Sequence, residues 1–181
     1  MSLRNYQKNI IKILDEETRK IVMIEKDRGV GVTYTFKEYV KKEGSNRSNI
    51  NILYVGSNMI DSFNFVDSSY IRLDRRPVFH FSNGSRLFLT SYSNIMDYAR
   101  GRYFDLIIFD NVENIISSNT DAFGNMFDVF FPTLSAEDSK IIITFNYPLY
   151  HSIHFHHLIS SASRGNITYM YVSESLITNN I

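Results

Sequence analysis

Four short apolar runs limit what this chain can fold into: IVMI at Ile21–Ile24, INILYV at Ile50–Val55, LIIF at Leu106–Phe109 and IIITF at Ile141–Phe145. They are rich in β-branched residues and do not alternate with polar ones, as strands buried on both faces of a parallel sheet are. Helical patterns separate them. Tyr6–Lys20 spaces Ile10, Ile11 and Leu14 on one face, and Thr33–Gly44 reads as a helix closed by Gly44 with Lys41 and Lys42 in its last turn. Further helices are expected from about Ser57, over Ala122–Leu134 with a stop near Pro132, and over Leu149–Ala162. A last strand begins at Ile167. The run from Val78 to Ser93, broken at Asn83-Gly84, carries a hairpin signal. The βαβ alternation predicts an α/β fold with an open, mainly parallel sheet between two helical layers.

At 181 residues, 44% of them hydrophobic, and without repeats or a linker, the chain is expected to form one domain over 1–181. Net charge is zero, from 19 basic and 19 acidic residues, so any nucleic-acid contact has to be local. There is no cysteine, which removes disulfides, thiolate metal sites and thiol nucleophiles. No apolar run approaches the roughly 20 residues that cross a bilayer, and the N-terminus lacks a signal-peptide core, so the expectation is a soluble intracellular protein without a membrane partner.

Ligands of open parallel sheets sit at the carboxyl ends of the strands, where this sequence places Glu25–Thr33, Asp110-Asn111 and Thr144–Asn146. The first segment, EKDRGVGVT, has the outline of a phosphate-binding loop, with Gly29 and Gly31 opening a helix that begins near Thr33. Where such a loop carries its lysine, this chain has Val32; Lys26 stands where the first glycine is usual. A long ammonium stem at Lys26 could reach back to the same phosphates, and Arg28 offers a planar, bidentate cation. Thr33 and Asp110 are the candidate Mg2+ ligands, because an acid ending a buried strand holds a metal-bound water beside a triphosphate. Asn111 stands where a water-orienting glutamate is expected and cannot accept a proton as a carboxylate does; Glu113 is the candidate replacement.

With these motifs in their order, the chain resembles the ATPase domain of the large terminase subunit, the DNA-packaging motor of tailed bacteriophages, especially the T-even type. The resemblance rests on LRNYQ at Leu3–Gln7, KDRGVGVT at Lys26–Thr33, HFSNGSRLFL, YARGRYFDLIIFDNVENI and IIITFN. It implies a P-loop NTPase-type three-layer sandwich, ATP and Mg2+ as cofactors, and Gln7 contacting adenine. Lys26, Arg28, Gly29, Gly31, Val32 and Thr33 would form the nucleotide loop. Arg28, Asp110, Asn111 and Glu113 would occupy the catalytic positions, and Thr144 and Asn146 would form the motif that couples hydrolysis to movement. Arg100 and Gly101 match an Arg-Gly segment. Implied partners are double-stranded DNA, the portal and the small terminase subunit, with a possible homo-oligomeric ring on the procapsid in the host cytoplasm. The family's nuclease domain is not expected in a sequence that ends at Ile181. With Val32 and Asn111 at two diagnostic positions, the alternative is a nucleotide-binding or assembly module that kept the fold and lost hydrolysis.

Two further clusters invite a site. His151, His154 and His157, with His156 beside them, recur at a spacing that suits a metal, but no acid or cysteine completes the set, and they read as helix-face histidines. Arg72, Arg75 and Arg76 form a local basic patch, readable as a phosphate contact or as a solvated loop.

Overall fold

The computed structural model describes residues 2–57, 71–72, 78–96, 101–113, 128–134, 137–146, 156, 160 and 167–173. Helix α1 (Asn5–Glu16) leads into β1 (Ile21–Lys26), α2 (Val32–Asn46) and β2 (Asn51–Gly56). Then come β3 (Ile71–Arg72), β4 (Val78–His80), β5 (Arg86–Ser91), β6 (Leu106–Phe109), β7 (Lys140–Asn146) and β8 (Thr168–Val172). They form one eight-stranded sheet in the order β3-β4-β5-β2-β6-β7-β1-β8. The six strands from β5 to β8 in that order pair in parallel, and β3 and β4 close one side antiparallel.

The central parallel strands bury both faces, so the pleat sorts their side chains into two apolar layers. Val22, Ile24, Ile52, Tyr54, Ile108 and Ile142 pack under α1 and α2, against Tyr6, Ile10, Leu14, Val32, Phe36 and Val40. Met23, Leu53, Val55, Ile107, Phe109 and Ile143 face the other way, against Ile95, Phe104, Val112 and Phe130. Each such side chain contributes about 1.5–3 kcal/mol of transfer free energy, so the two layers fix strand register as well as stability.

The expected open, mainly parallel sheet is present, with several corrections of detail. Helix α1 ends at Glu16 rather than Lys20, where Glu17 turns to extended backbone (φ −76°, ψ 123°). Helix α2 runs on to Asn46, so Gly44 does not close it and Lys41 and Lys42 are not in its last turn. Gly44 is needed for packing instead: a Cβ there would run into the Phe81 ring. The real stop for α2 comes from the hairpin. Asn83 Nδ2 donates to the carbonyls of Gly44, Ser45 and Arg47 at 2.8, 3.0 and 3.0 Å, and Ser85 Oγ donates to Arg47 O at 2.6 Å. The hairpin joins β4 to β5 as expected, but β5 also pairs in parallel with β2, which makes it a sheet strand. The expected helices from Ser57 and over Leu149–Ala162 lie almost wholly outside the described residues. Of Ala122–Leu134, residues 128–130 are helical and Phe131–Thr133 form a 3-10 turn containing Pro132.

Candidate functional site

The chain leaves β1 at Lys26 and enters α2 through Asp27–Gly31. Gly29 and Gly31 both sit at positive φ, 79° and 74°, a region that favours glycine. Between them Val30 is 1% exposed, and Val32 after them is also 1% exposed, both packed in the layer under α1 and α2. The loop is therefore pinned by two valines, with Gly29 exposed and Gly31 held against Tyr6 and Gln7 of α1. Val32, expected on the nucleotide loop, is the first residue of α2 and puts its side chain in the core. A backbone amide at a helix start has no acceptor within the helix, and Thr35 N–H is the first to close back, onto Gly31 O at 3.1 Å. Arg28 is exposed on the same turn.

Helix α1 holds the loop from behind. Tyr6 Oη donates to Val30 O at 2.5 Å and Gln7 Nε2 to Gly31 O at 3.1 Å, while Gln7 Oε1 accepts from Arg4 N at 2.9 Å. Gln7, expected to contact adenine, is 5% exposed and bonded to the loop backbone.

Strand order brings the rest together. Because β7 lies between β1 and β6, the ends of all three meet, with Lys26 opposite Asn146 and Ile24 opposite Thr144. The pleat turns Lys26, Thr144 and Tyr54 to the α2 face, the face of Ile24, Ile142 and Ile52. Glu25 has the opposite parity and shares the face of Met23, so it does not join the loop; burial, with Asp27 nearby, raises its pKa above the ordinary carboxylate value.

Asp110 is the centre of this edge. It is 1% exposed and accepts three hydroxyl hydrogen bonds: Thr33 Oγ1 at 2.6 Å and Tyr54 Oη at 2.8 Å on Oδ2, and Thr144 Oγ1 at 2.6 Å on Oδ1. Tyr92 Oη donates to its backbone oxygen at 2.9 Å, and burial, with Asp110 and Glu113 close by, pushes the Tyr92 phenol well above its usual range. Asn111 turns off β6 at φ 59°, a left-handed conformation that asparagine tolerates better than glutamate. Its amide N–H donates to Thr144 Oγ1 at 3.0 Å and its Oδ1 accepts from Lys26 Nζ at 2.6 Å. Lys26 thus points along the strand ends to Asn111 rather than back across the loop. Glu113 accepts from the Asn146 backbone N–H at 3.3 Å and from Asn146 Nδ2, and Asn146 Oδ1 is buried without a partner among the described residues.

A hydroxyl and a carboxylate in contact are donors that suit Mg2+, which keeps several waters and takes one or two protein oxygens. No cluster of three metal-binding side chains occurs among the described residues. Of the histidines only His156 in that cluster is described, and it is exposed; Arg75, Arg76 and Arg100 lie outside the described residues. Sequence reasoning missed Tyr6, Tyr54 and Tyr92. Their only signal was a tyrosine hydroxyl inside or beside an apolar run, which needs a partner when buried.

A glycine loop after β1, an acid after β6 and a polar strand end at β7 between them define a P-loop NTPase-type α/β fold. The chain shares it with the ATPase domains of phage large terminases. The large terminase of a thermophilic bacteriophage superposes with a TM-score of 0.69 at 12% identity, covering 94% of this chain and 46% of that one. The same protein has also been solved with ADP and with ATP-gamma-S. The large terminase ATPase domain of a Thermus phage gives 0.59 at 13% identity, over 90% of this chain and 79% of that one. The helicase domain of Pyrococcus furiosus Hef gives 0.61 at 12%, over 93% and 38%. At these identities the likeness is one of fold, and the chain spans under half the length of the first of these terminases. No family model and no curated protein matches the sequence. No described helix is long and apolar enough to cross a membrane.

Proposed function

We propose that this chain is the ATP-binding motor domain of a viral DNA-packaging terminase, holding Mg-ATP between the Lys26–Thr33 loop and Asp110. One observation carries the reading: Thr33 at the start of α2 and Asp110 at the end of β6, 77 residues apart, meet at 2.6 Å. Such a pair, beside a glycine loop that opens a helix, is what a phosphate-bound Mg2+ requires. Thr33 and Asp110 would hold the ion, which neutralises charge on the phosphates. The loop amides of Gly29, Gly31 and Val32 bind phosphate oxygens, and Arg28 or an arginine of a neighbouring subunit meets the γ-phosphate. Lys26 exchanges Asn111 for a phosphate oxygen by rotating its stem. Glu113 and the orphan Asn146 Oδ1 are two acceptors fit to orient an attacking water, with Thr144 linking that end of β7 to Asp110. Gln7 keeps the loop in shape and turns its remaining amide hydrogen to the base. Double-stranded DNA, a portal, a small terminase subunit and a ring of copies belong to this reading.

Asn111 and the Lys26 bonded to it favour a second reading, a module that binds nucleotide without fast turnover. The purified chain with DNA and Mg2+ decides. The motor reading expects ATP turnover well above that of Asp110→Ala; equal rates would sink it, and Mg-ATP binding without turnover would select the module.

A further inference from the structure

A cavity of about 680 Å3 opens at the amino ends of β6 and β7, beside the last turn of α1 and the second half of α2. That is the size of a small-molecule site. Most of the charge around it is already matched within the chain. Lys42 lies on Asp15, Arg19 on Glu17 at 3.3 Å, and Arg47 on Glu43 and Asp138 at 3.5 and 2.7 Å.

Two groups line the cavity with bonding capacity to spare. Tyr39 is 3% exposed, yet its hydroxyl has no hydrogen-bond partner among the described residues. A buried phenol normally has one. Burial, with Glu43 and Asp15 nearby, pushes the Tyr39 pKa well above its usual range, so the group stays a neutral donor. The second group is Lys140, the half-buried first residue of β7. Its ammonium donates to Leu14 O, a carbonyl of the last turn of α1, and takes part in none of the ion pairs around it. Burial holds its pKa below the ordinary lysine value, although Glu43, Glu17 and Asp15 favour the cation and only Arg47 opposes it. A desolvated amine that sheds its proton more readily than a solvated one is a nucleophile. Glu43, Asp15 and Arg47 are charged neighbours of Tyr39 and Lys140 alike, which puts phenol and amine in the same part of the cavity. An amine for a carbonyl carbon and an O–H donor for its oxygen are the two groups that imine formation needs.

We propose that Lys140 forms an imine with a small uncharged aldehyde or ketone bound in this cavity, with the Tyr39 hydroxyl donating to the carbonyl oxygen. The amine, its extra proton passed to water, adds to the carbonyl carbon. A C–N bond forms as the C=O π pair moves to oxygen, which takes up a proton. The resulting carbinolamine loses that oxygen as water and a proton from nitrogen, so carbonyl and amine give imine and one water without an oxidant or reductant. Six carboxylates and four cations line the cavity, which disfavours a carbonyl compound that is itself an anion. The site lies at the strand ends opposite the nucleotide loop and requires neither ATP binding nor turnover.

The test is peptide mass spectrometry of the full chain after exposure to glyceraldehyde and cyanoborohydride, which reduces an imine to a stable amine. Lys140 is expected to label several-fold faster than Lys12, an exposed residue of α1, and to do so with glyceraldehyde rather than with anionic glyoxylate. Its rate levels off at a lower pH than that of Lys12. Tyr39→Phe slows labelling of Lys140 and leaves Lys12 as it was. Guanidinium chloride, which unfolds the wild-type chain, makes the two lysines alike. Labelling of Lys140 no faster than Lys12 in the folded chain overturns the proposal, as does a preference that survives unfolding. Glyoxylate labelling Lys140 as fast as glyceraldehyde overturns the choice of an uncharged substrate. An unchanged Lys140 rate in a folded Tyr39→Phe chain overturns the part given to Tyr39.

Discussion

A carboxylate taken out of water needs compensation, and among the described residues Asp110 receives it from three hydroxyls. Hydrogen bonds to a charged acceptor are worth about 1.5–3 kcal/mol each, enough together to offset several kcal/mol of desolvation. Tyr54 supplies one of the three from deep in β2, where it is 1% exposed. Tyr54→Phe keeps the ring and removes that donor, so it is expected to cost about 1.5 kcal/mol and lower Tm by about 3–6 °C in a chain of this size. A thermal melt within about 1 °C of wild type would mean the hydroxyl adds nothing to Asp110. The acid itself was legible in the sequence because an apolar strand ending in a carboxylate has few other uses. Tyr54 was not, since the partner of a buried hydroxyl 56 residues away in sequence is set by strand order, which periodicity does not reveal. Lys26 was half legible: its place beside the loop follows from spacing, but its bond to Asn111 needs β7 between β1 and β6.

At the scale of elements, α2 shows how one helix end is finished by another part of the chain. A helix leaves its last carbonyls without partners, and the usual remedy is a glycine in left-handed conformation just past the end. Reading Gly44 as that glycine was reasonable from sequence and wrong in space, because the Phe81 ring occupies the room a side chain would take. Asn83 does the capping, so the Asn-Gly pair that signalled a hairpin also serves α2. Its removal should therefore act on the helix as well as the turn. Asn83→Ala is expected to destabilise by about 2 kcal/mol and lower Tm by about 4–8 °C, with faster amide exchange at the end of α2 as well as in the hairpin. Exchange that quickens in the hairpin alone would show that α2 does not depend on Asn83. The four strands buried on both faces were legible from their short, unalternated apolar runs. Strand β5 was harder, because a run following a hairpin turn looks finished by its antiparallel partner and hides its parallel pairing to β2.

For the whole molecule, the sheet is a plate whose two strand-end edges carry different chemistry. The carboxyl edge collects hydroxyls and the Asp110 carboxylate, and the amino edge carries charges of both signs, Arg86 at the start of β5, Arg102 before β6, and Asp105, Glu137, Asp138 and Lys140 around the starts of β6 and β7. Within the chain itself the carboxyl edge is largely satisfied: Thr33 and Thr144 on Asp110, Lys26 on Asn111, Glu113 on Asn146. A ligand must break some of these contacts, so its net effect on stability measures whether the edge was made to receive one. Binding to the folded state alone stabilises by about 2.7 kcal/mol at a free concentration of roughly 100 Kd, which for this size raises Tm by about 5–11 °C. We therefore expect Mg-ATP to raise Tm by that amount, EDTA to remove most of the rise, and Asp110→Ala to abolish the Mg2+-dependent part. Because binding alone produces the shift, it holds for a slow or inactive ATPase as well as for a motor. A Tm unmoved by millimolar Mg-ATP in a well-folded chain would mean that the hydrogen bonds around Asp110 are the finished structure, and that the glycine loop is a turn joining a strand to a helix.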